Sequence, residues 1–278
     1  MKKVSIIIPT YNNNNKLERL LNTIPKLSLF EIIVVDDHAD FYSNALTTKY
    51  KDVIFLRNSN GKGAGGARNT GLAYATGDYV LFADSDDIFT DDFYDIVSKY
   101  LDYDFDVIYF SPSSFKEDAE YTPGIRHLRY SKLVDEFVLR GSDNIRYYFY
   151  VPWSKLINRK FLSINKIQFE EIISSNDLIF STKVGLFSEN VLAVNEVIYS
   201  VEEGSNSMTR RLTTESLSCR LEAMFRFNQL LDDSGMINKK KSMAPWILRL
   251  ITKSPVLALK YLFLGFKSNT PLFLISKR

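Results

Sequence analysis

The chain of 278 residues has one cysteine, Cys219, and two histidines, His38 and His127. A single thiol excludes an internal disulfide and a cysteine-built zinc site, and histidines this far apart offer no zinc-ligand spacing. Long apolar runs are missing too. The first, Val4 to Ile8, is closed by Pro9; it is too short for a signal-peptide core and reads as a strand. No uncharged run approaches the ~20 residues of a membrane-spanning helix. A reducing, cytoplasmic setting is the default expectation. Disorder-prone composition is also lacking, since 45% of the residues are hydrophobic and 14% aromatic, ample for a core.

Acid is absent from one end. Residues 238–278 carry nine Lys or Arg and no Asp or Glu, so the net charge of +2 conceals about −7 over residues 1–237. An acidic body with an apolar basic tail speaks against nucleic acid as a partner. In the tail, Trp246 to Ile251 and Val256 to Phe266 are strongly apolar, and Arg249, Lys253, Lys260 and Lys267 fall roughly along one helical stripe. Pro245 can start a helix and Pro255 divides it. Two basic amphipathic helices suit an anionic membrane surface. A helical cap on the preceding domain is the plainer alternative.

What is present is a regular alternation. Apolar runs at Val4 to Ile8, Glu31 to Val35, Val53 to Leu56, Val80 to Ala83 and Val107 to Phe110 read as strands. Helical spacing lies between them, at Leu17 to Ile24, Tyr42 to Tyr50, Ala67 to Ala75 and Asp91 to Leu101. This predicts a doubly wound α/β sheet, parallel or mostly so. Ligands bind such sheets at the carboxyl ends of strands. Here those ends are Thr10 and Tyr11, Asp36 and Asp37, Arg57 and Asn58, and Asp84 to Asp87.

Beyond residue 110 the pattern weakens. Pro112 and Pro123-Gly124 suggest irregular structure, and Val151 to Lys155 a loop leading into a helix over Leu156 to Leu162. A helix from Asn176 to Phe187 would be capped by Asn176 or Asp177. Val191 to Val201 reads as a last strand and Thr214 to Leu231 as a helix. The expected division is a catalytic domain over 1–212, with halves 1–110 and 111–212, and a basic helical region over 213–278.

Chemistry concentrates in Val80 to Asp87. Three carboxylates in four residues, Asp84, Asp86 and Asp87, repel one another. A divalent cation relieves that, and oxygen ligands suit Mg²⁺ or Mn²⁺, with a phosphate-bearing substrate as second partner. A solvated acidic turn is the alternative. Gly61 to Gly66 satisfies G-x-G-x-x-G, with Asp86 twenty residues further on. Two strand–helix units precede it, however, and its acid belongs to the carboxylate cluster, so a nicotinamide or flavin fingerprint is not the reading. A helix-start turn that needs glycine for close packing remains open.

Four stretches, in order, resemble family 2 glycosyltransferases of the GT-A fold: Val4 to Asn12, Val35-Asp36-Asp37, Asn60 to Gly71 with its Ala67-Arg68-Asn69-Thr70-Gly71, and Gly77 to Asp87 ending in Asp84-Ser85-Asp86. Trp153 to Leu156 and Phe161 to Phe169 are similar to the acceptor side of the bacterial polysaccharide members. The resemblance implies a GT-A α/β sheet with flanking helices; the C-terminal helical segment that follows is read from the tail itself. It places Pro9, Thr10 and Tyr11 beside the nucleoside, and Asp36 or Asp37 on the N–H of a uracil-like base. Gly61 and Arg68 would lie near the donor, Asp84 and Ser85 toward ribose or sugar, and Asp86 with Asp84 on the metal. The family's base is the Asp of a Glu-Asp pair; here Asn176-Asp177 stands there, so Asp177 would be the base of an inverting transfer, with Glu170 and Glu171 as fallbacks. Trp153 and Lys155 would meet the acceptor. The implied partners are a nucleotide sugar, UDP-linked, a saccharide or lipid-linked acceptor, and a membrane surface touched by residues 238–278; a homodimer is compatible. Tyr147, Tyr148 and Tyr150 read as packing. Glu202 to Thr209, with Arg210 and Arg211, could close over a diphosphate. Two other functions stay in view: a non-catalytic sugar-nucleotide binder, because of Asn176, and a sugar nucleotidyltransferase, which would want a glycine-rich loop where Pro9 to Asn12 stands.

Overall fold

Every residue of Val4–Thr10 is buried in strand β1, flanked on both sides by parallel neighbours. The computed structural model describes residues 2–37, 44–61, 63–117, 121–204, 213–267 and 271. The strands are β1, β2 (Phe30–Asp36), β3 (Val53–Arg57), β4 (Tyr79–Phe82), β5 (Ile88–Phe89), β6 (Val107–Lys116), β7 (Lys155–Asn158) and β8 (Val191–Glu203). They form one sheet in the order β3-β2-β1-β4-β7-β6-β8-β5. The β3-β2-β1-β4 half is parallel, as is the β6–β8 pair; β7 runs antiparallel to both its neighbours and β5 to β8. The register aligns Thr10 with Asp36 and Asp36 with Arg57, which sets the polar strand ends side by side.

The flanking helices of the first half are α1 (Asn14–Asn22), α2 (Asn44–Lys49), α3 (Ala64–Tyr74) and α4 (Phe93–Tyr100). They follow the expected alternation, because β-branched runs buried on both sheet faces need helices to cover them. The second half adds α5 (Leu128–Arg140), α6 (Asn144–Tyr148), α7 (Arg159–Ile164) and α8 (Asn176–Phe187).

Three expectations fail here. Strand β6 does not stop at Phe110 but runs past Pro112 to Lys116, with register shifts at Phe110/Ser111 and Ser111/Ser113. Such an irregularity accommodates a residue without an N–H. Leu156 and Ile157, expected in a helix, belong to β7; the helix starts at Arg159, capped by the Asn158 side chain accepting from the Phe161 N–H. Neither Asn176 nor Asp177 caps α8: the cap position is Ser175, in the left-handed region at φ +62°.

The C-terminal region is three helices, α9 (Thr214–Asp233), α10 (Ala244–Ile251) and α11 (Pro255–Lys267). Leu217 and Leu221 of α9 bury Met243, Ile247, Leu250, Ala258 and Tyr261 from the following segment. The Tyr261 hydroxyl donates to Glu222 Oε1 at 2.9 Å. The other end of α9 packs Phe227 and Leu231 with Tyr147, Leu178 and Ile179. The inner face of α10 and α11 thus packs on α9. No helix among the described residues is long and apolar enough to cross a membrane.

Candidate active site

The site grows from four strand or helix ends. The carboxyl end of β1 presents Pro9 and Thr10, both buried, and the exposed Tyr11. Asp36 ends β2, buried, and Asp37 follows it. Asp37 grips the glycine-rich loop: Asn58 Nδ2 donates to its Oδ1 at 2.6 Å and the Gly63 N–H to its Oδ2 at 2.7 Å.

The glycines of that loop answer to crowding. A Cβ at Gly65 would meet the Glu170 carbonyl at 2.1 Å, and one at Gly66 the Gly61 carbonyl at 1.7 Å. The Gly61 N–H donates to Glu171 Oε2 at 2.8 Å. Asn69 of α3 clamps the same segment from below, donating to the Phe169 carbonyl at 3.0 Å and accepting from the Phe169 N–H at 2.9 Å. The Ala67-Arg-Asn-Thr70 stretch therefore ties residues 58–61 to residues 169–171; Thr70 completes it with a 2.9 Å bond to Asn58 Oδ1.

Arg68, expected near the donor, is only 5% exposed. Its Nη2 donates to Asp84 Oδ1 at 2.5 Å and its Nη1 to Asn176 Oδ1 at 3.0 Å, while its guanidinium carbon lies 5.2 Å from the Phe169 ring. One buried cation thus joins the end of β4 to the start of α8.

The acidic turn after β4 divides by direction. Asp87, 1% exposed, faces inward and accepts from the Tyr199 hydroxyl at 2.8 Å and from the Glu202 N–H at 2.7 Å. Burial, then the charges of Asp86 and Asp84, hold its pKa well above the carboxylate range. Tyr199 also accepts from the Asp84 N–H at 2.7 Å. Asp84 and Asp86 stay half-buried, and burial together with the Asp84 charge raises the Asp86 pKa. Arg19 of α1 donates to the Asp86 carbonyl and pairs with the buried Glu202, which Lys16 also pairs. Neither Tyr199 nor Arg19 stood out in the sequence as a site residue, since each lies inside a predicted element; Asn58, Glu171 and Glu202 did, as a strand end, a fallback base and the start of a closing loop.

Among the described residues, no three His, Cys, Asp or Glu side chains gather as a metal cluster. Asp84 and Asp86 remain as a mutually repelling pair of oxygen donors. Two carboxylates with substrate phosphates and water completing the shell is the usual manner of holding Mg²⁺, so the residues fit that ion.

Asp177 sits in the first turn of α8, where a negative charge faces the positive end of the helix. Burial raises its pKa; the Arg68 charge opposes that and the Asp84 charge adds to it. Trp153 and Lys155, expected at the acceptor, are core residues. Trp153 is 1% exposed and stacks on Tyr199 at 5.9 Å, which leaves no ring face for a sugar. Lys155 is wholly buried and donates to the Phe149 carbonyl at 2.7 Å. Burial pulls its pKa well down, and the Asp177 charge opposes this. Ser85 is buried within the acidic turn. His127 Nδ1 lies 2.7 Å from Ser114 Oγ; His38 and residues 205–211 of the suggested closing loop lie outside the described residues.

Residues 5–164, more than half of the chain, match the family model described as glycosyl transferase family 2. Among curated proteins, the chain is 26% identical over 247 residues to glycosyltransferase GlyA of Streptococcus pneumoniae serotype 4, covering 84% of this chain and 35% of that one. It is 28% identical over 209 residues to the poly(ribitol-phosphate) beta-N-acetylglucosaminyltransferase TarS of Staphylococcus aureus strain Mu50, covering 72% and 35%. The chain therefore spans about a third of the length of these relatives. The crystal structure of S. aureus TarS 1–349 with UDP-GlcNAc superposes with a TM-score of 0.65 at 23% identity, over 95% of this chain and 73% of that one. The shared α/β sheet is the GT-A fold, and the chain belongs to glycosyl transferase family 2.

Proposed function

We propose that the protein is an inverting glycosyltransferase that moves a hexosyl or N-acetylhexosaminyl group from a UDP-sugar to a saccharide or lipid-linked acceptor in cell-surface polysaccharide synthesis. The observation that carries this is the Arg68 bridge, which sets Asp84, at the acidic turn, against Asn176, next to Asp177. A donor end and a base end are thereby held across one guanidinium. The names of relatives support the substrate class: TarS is named for transfer of N-acetylglucosamine to poly(ribitol phosphate), and WfgD of Escherichia coli, 37% identical over 89 residues, for transfer from UDP-Glc to a diphosphoundecaprenol-linked sugar.

In this reading Pro9, Thr10 and Tyr11 border the nucleoside and one of Asp36 and Asp37 accepts its base N–H. Asp37 also shapes that wall through Asn58 and Gly63. Asp84 and Asp86 would hold Mg²⁺ or Mn²⁺, which neutralises charge on a diphosphate leaving group. Asp177 takes the proton of the acceptor hydroxyl; attack opposite the departing UDP inverts the anomeric carbon. Its raised pKa makes the carboxylate a stronger base than a solvated one. Asn176, neutral where the family has Glu, accepts from Arg68 without drawing charge from the Arg68–Asp84 pair.

The tail is read as a peripheral contact with the inner face of the cell membrane. Val256, Leu259, Phe263 and Phe266 recur at helical spacing along α11 and are 65–80% exposed, with Lys253 and Lys260 also exposed nearby. Metal-dependent hydrolysis of a panel of nucleotide sugars tests the enzymatic reading: no turnover with any of them favours a non-catalytic binder.

A further inference from the structure

The acidic turn, Ala83 to Asp87, joins the end of β4 to the start of β5. Just past it, Phe89 of β5 lies opposite Tyr199 in the antiparallel pairing with β8. Strand register thus carries Tyr199 to the turn from more than a hundred residues away. Its hydroxyl touches the turn twice. It accepts from the Asp84 N–H at 2.7 Å and meets Asp87 Oδ2 at 2.8 Å. An amide N–H can only donate, so the hydroxyl's own proton goes to Asp87.

The remaining anchors of the turn also come from β8 and α1. Asp87 Oδ1 accepts from the Glu202 N–H at 2.7 Å, so both oxygens of this buried carboxylate are taken up by β8. Arg19 of α1 donates to the Asp86 carbonyl while pairing with the Glu202 side chain. Asp84 and Asp86 are left as the two half-buried carboxylates of the turn.

The Tyr199 ring is wholly buried. It lies against Trp153 at 5.9 Å and 23°, and meets Phe89 edge to face at 5.3 Å. That packing fixes the hydroxyl in place but makes no use of it. Phenylalanine would fill the same space, yet would leave the Asp84 N–H and Asp87 Oδ2 each short of a partner. Two like charges so close together drive a turn to open. A hydrogen bond to the backbone of one of them, anchored on a rigid strand, opposes that opening. Outer partners of this kind typically govern metal affinity by about 10–100-fold.

We propose that Tyr199 is a positioning residue for the donor's metal: through the Asp84 N–H and Asp87 its hydroxyl holds Asp84 and Asp86 as a preformed pair of oxygen ligands. The inference rests on the reading of Asp84 and Asp86 as that pair.

UDP is titrated calorimetrically into the full chain over a series of Mn²⁺ concentrations, in wild type, Tyr199→Phe and Phe89→Leu. The wild type should bind UDP more tightly as Mn²⁺ rises. In Tyr199→Phe the Mn²⁺ concentration that gives half of this tightening should rise about 10–100-fold, with metal-free UDP affinity unchanged. Phe89→Leu loosens the packing on the Tyr199 ring and spares its hydroxyl. It should lower the melting temperature and leave the Mn²⁺ requirement as in wild type. Asp87→Asn, which turns an acceptor facing the hydroxyl into a donor, makes the same test if Tyr199→Phe does not fold, and should raise the requirement too. An unchanged Mn²⁺ requirement in Tyr199→Phe or Asp87→Asn overturns the proposal. So does an equal rise in Phe89→Leu, which would reduce Tyr199 to packing. Wild-type UDP affinity that ignores Mn²⁺ is a different failure: it refutes the metal pair itself, and this role with it.

Discussion

Arg68 is 2.5 Å from Asp84 through one terminal nitrogen, and its other terminal nitrogen reaches Asn176 at 3.0 Å. The geometry makes Arg68 a brace between β4 and α8. Arg68→Ala should cost about 2 kcal/mol, below the ~3–5 kcal/mol for breaking a fully buried pair, because the Asp84 side chain keeps 28% of its exposure. Transfer should fall in kcat more than in donor KM. Thermal denaturation with steady-state kinetics checks this; a large KM rise with unchanged kcat would make Arg68 a donor contact.

Asp177 yields a pH prediction with a definite sign. Its folded pKa lies above the ordinary 3.8, so the ionised carboxylate is disfavoured in the folded state. That penalty is absent below the unfolded value and complete above the folded one. Asp177→Asn should therefore be as stable as wild type or more so at neutral pH, while transfer falls by roughly a thousandfold or more. The acidic limb of the wild-type rate profile should lie above an ordinary aspartate's. A destabilised, still active variant would remove Asp177 from the chemistry.

Lys155 is a buried amine with a lowered pKa. Lys155→Met keeps most of the volume and leaves the Phe149 carbonyl without its donor, a loss of about 1–2 kcal/mol. Keeping a charge there is disfavoured, so wild-type stability relative to Lys155→Met should rise with pH between the lowered folded value and the ordinary 10.5. Denaturant melts over a pH series that ends at the ordinary 10.5 read the slope; a flat difference would mean the lysine is not held against its charge.

On α11, Phe263→Glu with Leu259→Glu places two carboxylates on the exposed stripe without touching the face that packs on α9. Flotation with phosphatidylglycerol vesicles should drop severalfold while the melting temperature holds. Unchanged flotation would sink the membrane contact.

Much of the donor half was legible because its signals are local. Ile6 to Ile8 in β1, Ile32 to Val35 in β2 and Val80 to Phe82 in β4 are apolar runs that end in polar residues. The second half was harder. Strand β7 has only four residues, and Pro112 disguises β6 as a loop. The surroundings of Trp153, Arg68 and Gly61 could not be read, because each meets a partner far away in sequence. Tyr199 stacks on Trp153, Asn176 receives Arg68, and Glu171 takes the Gly61 N–H. Glycines that look like a phosphate cradle are, in space, the room that segment 169–176 needs.

The central claim is that Asp84 and Asp86 hold the donor's metal while Asp177 acts on the acceptor. Hydrolysis of UDP-sugars by wild type, Asp86→Ala and Asp177→Ala, with and without added Mn²⁺ and after chelation, tests it most directly. The account predicts metal-dependent turnover in wild type, at least a hundredfold loss in Asp86→Ala with weakened UDP binding, and a comparable loss in Asp177→Ala with UDP binding intact. Turnover that survives chelation and both substitutions would contradict it.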